Sequence, residues 1–133
     1  MIVVDASVVV KWFKPDEKSP QADFFLEEHL AGRTMIAVPT LMLYEVANAL
    51  WASRRLRREE IEQALCLIAD AHLTYIAPDI SLMRASLAIS EKMTLSVYDA
   101  SYVALAQQMR CSLATADKKL FRNAKDFIEM TFV

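Results

Sequence analysis

Four carboxylates stand where the surrounding sequence is otherwise apolar or where a predicted strand ends, and they are the candidate catalytic groups. They are Asp5, Glu45, Asp99 and Asp117. Glu45 is the only charged residue in the apolar segment 41–51, and an unpaired carboxylate there costs several kcal/mol or takes up a proton. Asn48 lies one helical turn further along and is a candidate supporting residue. The alternatives for Glu45 are a partly exposed helix stripe or a salt bridge to a distant arginine.

Asp5 and Asp117 come directly after predicted strands, because Asp5 ends the apolar start of the chain and Asp117 closes the run 113–116. The carboxyl ends of parallel strands meet at one edge of a sheet, where ligands bind. Each of these acids could instead be a helix cap, and Asp99, three residues after Ser96, could belong to a capping box. No single cap explains all four acids, so we expect their side chains to meet in one cleft.

Four clustered carboxylates need a counter-charge, because like charges raise each other's pKa. Oxygen-only ligation suits Mg²⁺ or Mn²⁺, and the same four acids are therefore the candidate metal ligands. A zinc site is not expected, since the chain has two histidines and two cysteines, far apart in sequence. With a single glycine, Gly32, the chain cannot form a glycine-rich phosphate loop. This combination favours hydrolysis of a phosphodiester over nucleotide binding.

The elements that must position these acids alternate between short apolar or β-branched runs and longer helical patterns. That alternation predicts an α/β fold with a parallel sheet. The predicted strands are 2–4, 35–38, 73–76, 113–115 and 127–132. The predicted helices are 7–13, 20–30, 40–54, 57–71, 78–92, 96–109 and 117–122. Ser7 is expected to cap the first helix, Gly32 to follow the second, and the third and fourth to form a helical hairpin with a basic turn.

Length and composition bound the remaining possibilities. The 133 residues predict one domain spanning 1–133, and 15 basic against 17 acidic residues give a net charge of −2, unlike a dedicated duplex-DNA binder. No signal peptide is expected, and a cytoplasmic location is the default. The apolar stretch 34–53 contains Pro39 and Glu45 and predicts a strand plus a helix, with no membrane span.

The acids and their neighbours resemble the PIN domain family, and within it the VapC-like toxins of prokaryotic toxin–antitoxin pairs. The resemblance spans the whole chain, in the order and spacing of the family. Its motifs are Asp5-Ala6-Ser7 after a strand, Glu45 in an apolar helix, Tyr98-Asp99-Ala100-x-Tyr102-Val103-Ala104-Leu105-Ala106, and Thr115-Ala116-Asp117-x-x-Leu120.

The resemblance implies a three-layer α/β/α sandwich in which the four acids hold one or two Mg²⁺ or Mn²⁺ ions. Ser7 and Thr115 match the small hydroxyl residues that line the site in the family. It further implies an endoribonuclease acting on single-stranded RNA, commonly dimeric and held inactive by a cognate antitoxin protein. The alternative is a catalytically silent module of this fold that binds a partner protein. A haloacid-dehalogenase-type phosphatase is disfavoured, because it requires an acid where Ser7 stands.

Two clusters of basic residues and a high apolar content indicate what the protein could bind, namely RNA and a second copy of itself. Lys118, Lys119, Arg122 and Lys125 follow Asp117 and could attract an RNA backbone, whereas Arg54, Arg55, Arg57 and Arg58 are interpreted as a solvated turn. Apolar residues make up 55% of the chain, more than one small domain readily buries, which predicts a homodimer. The candidate dimer contacts are Leu50, Trp51, Leu65 and Ile68, all in the predicted hairpin.

Overall fold

A computed structural model describes all residues from 1 to 133 and contains five strands and seven α-helices. The strands are β1 (Ile2–Val4), β2 (Ile36–Pro39), β3 (Thr74–Ile76), β4 (Ser112–Thr115) and β5 (Met130–Phe132). The helices are α1 (Ala6–Lys11), α2 (Pro20–Leu30), α3 (Leu41–Ala52), α4 (Arg58–Asp70), α5 (Ile80–Met93), α6 (Val97–Met109) and α7 (Lys118–Ala124), with a 3₁₀ turn at Pro15–Glu17.

The five strands form one parallel sheet in the order β3-β2-β1-β4-β5. The central strand β1 lies between β2 and β4, with Ile2 opposite both Ile36 and Ser112. The chain first moves outward from β1 to β2 and β3, then returns to the other side of β1 through β4 and β5. The sheet therefore has a switch point between β1 and β4, the place where open α/β sheets bind ligands.

Helices cover both faces of the sheet, as the predicted α/β/α sandwich requires. Right-handed crossovers put α1 to α4 on one face and α5 to α7 on the other, because the direction of travel across the sheet reverses after β3. In agreement with this, α1 packs against α2 and α3, and α6 packs against α5 and the strands. Val3, Val4 and Val103 are fully buried at the centre of the core.

Most predicted element boundaries agree with the structure to within one or two residues, but two predictions near the ends of the chain were wrong. Ser7 does not cap the first helix: α1 begins at Ala6, and the carboxylate of Asp5 accepts the capping hydrogen bond from Val8 N. Both residue types are good caps, so the sequence left the choice open. The last strand is limited to Met130–Phe132, half the predicted length.

The predicted helical hairpin is present as α3 and α4, but it corrects two of the candidate dimer contacts. Leu50 and Ile68 are buried in the core, because each points inward from its amphipathic helix. Trp51 is 63% exposed, while Leu65 is half-buried against the core. Gly32 follows α2 with a φ of 70°, as predicted. None of the helices combines the length and apolar character needed to cross a membrane.

Candidate active site

Asp5 and Asp117 lie side by side at the carboxyl edge of the sheet, immediately after the neighbouring strands β1 and β4. The register pairs Val4 with Ala114, so the two chain segments leave the sheet close together. Asp5 caps α1, and Asp117 caps α7 through a hydrogen bond from Leu120 N to its Oδ1 of 2.9 Å. The switch point of the sheet therefore carries two acids at two helix N-termini.

Asp5 is almost completely buried, and both of its oxygens accept hydrogen bonds. Its Oδ1 accepts from Ser7 Oγ at 2.5 Å and from Val8 N at 3.2 Å. Its Oδ2 accepts from Thr115 Oγ1 at 2.5 Å. Burial nonetheless raises the pKa of Asp5 from 3.8 to about 6, and the charge of Asp117 adds to the rise while the hydrogen bonds oppose it.

Ser7 and Thr115 each connect Asp5 to the turn between β4 and α7. Besides donating to Asp5, the Ser7 hydroxyl accepts from Ala116 N at 2.8 Å. The Thr115 hydroxyl likewise accepts from Asp117 N at 2.9 Å. Since each hydroxyl donates its one proton to the carboxylate, the two residues fix the relative positions of the two strand ends. The structure thus gives these predicted site residues a definite positioning role.

Asp99 lies in the first turn of α6, where Ser96 caps the helix. The backbone N of Asp99 donates to Ser96 Oγ at 3.0 Å, but the Asp99 carboxylate makes no return bond, so the capping box is only half formed. Burial raises the pKa of Asp99, and the charge of Asp117 raises it further, whereas hydrogen bonding to Ser96 and the charge of Lys119 lower it. The Asp99 carboxylate belongs to none of the ion pairs of the structure.

Glu45 approaches the other acids from α3, on the opposite face of the sheet from α6. Its Oε2 accepts a hydrogen bond of 3.2 Å from the hydroxyl of Tyr102, which is buried one turn after Asp99. Burial raises the pKa of Glu45 to about 7, and the charges of Asp99 and Asp5 contribute to the rise. Tyr102 was not predicted as a site residue. Its spacing of three from Asp99 was the signal that could have identified it.

The four acids influence one another around a closed ring. Asp117 raises the pKa of both Asp5 and Asp99, and Asp5 and Asp99 both raise that of Glu45. None of the four takes part in any of the five ion pairs of the structure. The alternative of a salt bridge from Glu45 to an arginine is therefore excluded, and Lys119 is the only cation whose charge lowers the pKa of one of the acids, Asp99.

The donor set fits a hard divalent cation, because it consists of oxygen ligands that take part in no ion pair. The four carboxylates do not converge on a single point, since no three His, Cys, Asp or Glu residues are arranged so that they could hold an ion together. Asp5 is held by three hydrogen bonds, whereas the carboxylates of Glu45 and Asp117 each accept one.

Asn48 stands apart from this arrangement. Its side chain is exposed and makes no hydrogen bond, although it lies one turn from Glu45 on α3.

The positive charge of the turn after α3 is largely neutralised, since Arg55, Arg57 and Arg58 each pair with a nearby acid. That pairing agrees with the interpretation of these arginines as solvated surface.

Comparison with known proteins identifies the family. The PIN domain model matches residues 2–126. The chain is 33% identical over 125 residues to Ribonuclease VapC3 of Pyrobaculum aerophilum, covering 90% of this chain and 91% of that protein. It is 28% identical over 109 residues to Exonuclease VapC9 of the same organism, covering 78% of each.

The fold is also found among solved structures. A chain of a toxin–antitoxin complex from Klebsiella pneumoniae superposes with a TM-score of 0.72 at 18% identity, covering 98% of this chain and 96% of that one. At this identity the likeness concerns the fold alone, and it matches the parallel five-stranded sheet with helices on both faces. Together with the family model and the 33% identical relative, it shows that this chain belongs to the PIN domain family.

Proposed function

We propose that this protein is a divalent-metal-dependent endoribonuclease that cleaves single-stranded RNA and acts as the toxin of a toxin–antitoxin pair. The observation that carries the proposal is the ring of four acids at the switch point of a PIN sheet, none of which forms an ion pair with a basic residue. A relative of nearly the same length named as a ribonuclease supports the chemistry. Retention of all four acids disfavours a catalytically silent binding module.

Asp5, Glu45, Asp99 and Asp117 are the residues that would hold Mg²⁺ or Mn²⁺. The bound cation supplies charge that activates water for attack at phosphorus and stabilises the leaving oxygen. Asp99 and Glu45 provide carboxylates from opposite faces of the sheet. Ser7 and Thr115 act as positioning residues, because their hydroxyls fix Asp5 against the β4–α7 turn.

The proposal is tested by incubating the purified protein with an unstructured RNA in Mg²⁺ or Mn²⁺, with EDTA as the metal-free arm. Asp99→Asn should abolish cleavage. The matched control is Asp79→Asn, since Asp79 caps the exposed start of α5 and asparagine caps equally well. Cleavage that persists in EDTA or in Asp99→Asn would refute the metal-dependent mechanism, and no cleavage by the wild-type protein would favour the silent module.

Endonuclease and exonuclease action can be separated with a circular RNA, which has no ends. The second possibility is a specific one, because one relative is named as an exonuclease. An endonuclease linearises the circle and then shortens it. Degradation of the linear RNA with an intact circle would assign exonuclease activity to the same acidic site.

The toxin role predicts an antitoxin partner, as in the Klebsiella pneumoniae complex. Expression of this chain alone should arrest growth, and Asp99→Asn should relieve the arrest. If a small DNA-binding protein is encoded beside it, co-expression of that protein should restore growth and yield a stable complex on copurification. Growth arrest that is equal for the wild type and Asp99→Asn would separate toxicity from the site.

A homodimer remains part of the proposal, with revised contacts. Trp51 and Tyr44 on α3 are 63% and 82% exposed, which leaves aromatic surface on the hairpin. Light scattering at micromolar concentration should give twice the mass of 15.1 kDa. A monomeric mass would show that this surface is free or reserved for another protein.

A further inference from the structure

A cleft of about 420 Å³ opens beside the acidic site and runs along the face of α1. Glu45, Ser7 and Ala116 line the end of the cleft that belongs to the site. Lys11 and Lys14 line it as well, together with the small apolar residues Ala6, Val10 and Ala49, and Glu17. The cleft is therefore continuous with the acids and contains two lysines and two glutamates.

The position of the lysines follows from helix geometry. Ser7 and Lys11 are four residues apart on α1 and so lie on the same face, with a rise of about 6 Å between them. Lys14 continues in the same direction just beyond the helix. Lys11 therefore lies one helical turn along α1 from the residue whose hydroxyl holds Asp5.

The two lysines differ in their partners. Lys14 is 13% exposed and forms an ion pair with Glu17, which satisfies its charge within the protein. Lys11 is half-buried and belongs to none of the five ion pairs. No acid forms an ion pair with the Lys11 ammonium group, so this group can pair with an anion that enters the cleft. Lys11 is thus the unpaired cation of the cleft.

We infer that this cleft is a subsite for the RNA strand, in which Lys11 binds the backbone phosphate next to the one undergoing cleavage. The inference rests on the proposed ribonuclease function and names a substrate contact that the acids themselves cannot provide. Small side chains on the opposite wall leave room for a sugar, and a phosphate contact carries no base information. The subsite therefore contributes affinity and register along the strand without sequence preference.

The test measures binding of a short single-stranded RNA to Asp99→Asn protein in Mg²⁺, by fluorescence anisotropy across a range of salt concentrations. Introducing Lys11→Gln into the Asp99→Asn protein should weaken its binding to the RNA about tenfold, as expected for the loss of one charged hydrogen bond. It should also make the slope of log K against log salt shallower by about 0.7, the value for one phosphate contact on a single strand. Lys11→Arg should restore both quantities.

The matched control is Arg110→Gln, which removes the same charge at an exposed, unpaired position. Arg110 lies just before β4, at the amino edge of the sheet and away from the site. If Lys11→Gln and Arg110→Gln bind the RNA with the same affinity and the same salt slope while the wild type cleaves RNA, the subsite is refuted and the proposed function stands. If the wild type neither binds nor cleaves RNA, both are refuted. A thermal melt of each variant verifies that it is folded.

Discussion

Asp5→Asn removes the most deeply buried charge of the acidic ring, and we expect it to stabilise the metal-free protein at alkaline pH. Asp5 is only 5% exposed, and burial raises its pKa from 3.8 to about 6. That rise corresponds to about 3 kcal/mol by which the folded state disfavours the ionised carboxyl. Asparagine has nearly the same shape and no charge, so it avoids this cost.

The sign of the effect follows from the direction of the pKa change. An acid whose pKa is higher in the folded than in the unfolded state binds its proton more tightly when folded. The stability it contributes is fully present below its unfolded value of 3.8 and is lost as the pH rises to about 6. The advantage of Asp5→Asn over the wild type should therefore grow by about 3 kcal/mol between about pH 3 and pH 8.

Urea denaturation in EDTA at both pH values measures this change. The difference between the two pH values removes any constant penalty from the fit of the amide against Ser7 and Thr115, which hydrogen bond to Asp5. Asp79→Asn serves as the control, because Asp79 is an exposed helix cap outside the ring. A flat or reversed pH dependence for Asp5→Asn would refute the conclusion that burial and like charge disfavour ionisation at this position.

Three further outcomes are expected. Thr115→Val should lower the free energy of unfolding, measured in urea, by about 1–3 kcal/mol, because the Asp5 carboxylate loses a donor and the backbone N–H of Asp117 loses its acceptor. The control Thr131→Val removes a hydroxyl that makes no side-chain hydrogen bond and should cost less. Equal losses in the two variants would contradict this prediction. Tyr102→Phe should move the acidic limb of the cleavage pH profile to higher pH, because the Tyr102 hydroxyl lowers the pKa of Glu45. The control is Tyr98→Phe, since Tyr98 is exposed. An unchanged profile for Tyr102→Phe, or an equal movement for Tyr98→Phe, would contradict this prediction. Mn²⁺ should raise the melting temperature more at pH 8 than at pH 5.5, because protons on the buried carboxyls compete with the ion; an equal rise at both values would place Mn²⁺ elsewhere.

The sequence predicted the sheet and the neighbourhood of the acids because both depend on local patterns. Short β-branched runs identify buried parallel strands, and a carboxylate directly after such a run lies at the carboxyl edge by construction. Asp5 and Asp117 are both of this kind. Glu45 was recognisable for another reason, as a lone charge in an apolar helix.

Contacts between distant segments could not be predicted in the same way. Tyr102 reaches Glu45 across 57 positions of sequence, and nothing near either residue specifies which helix faces which. The assignment of Leu50 and Ile68 to a dimer surface failed for a related reason. The apolar excess of a chain does not show which face of each helix packs on the sheet, and here those two side chains fill the core.

Helix capping and site chemistry were opposed as explanations for Asp5 and Asp117, but in the structure a capping bond does not use up the carboxylate of Asp117. A cap bond fixes the side-chain rotamer at the start of a helix, where the helix dipole favours negative charge. Asp117 uses only Oδ1 for this purpose, so its second oxygen remains free to bind a ligand. Capping thus orients a charged group at the sheet edge before any ligand arrives, which is the preorganisation that a cation site requires.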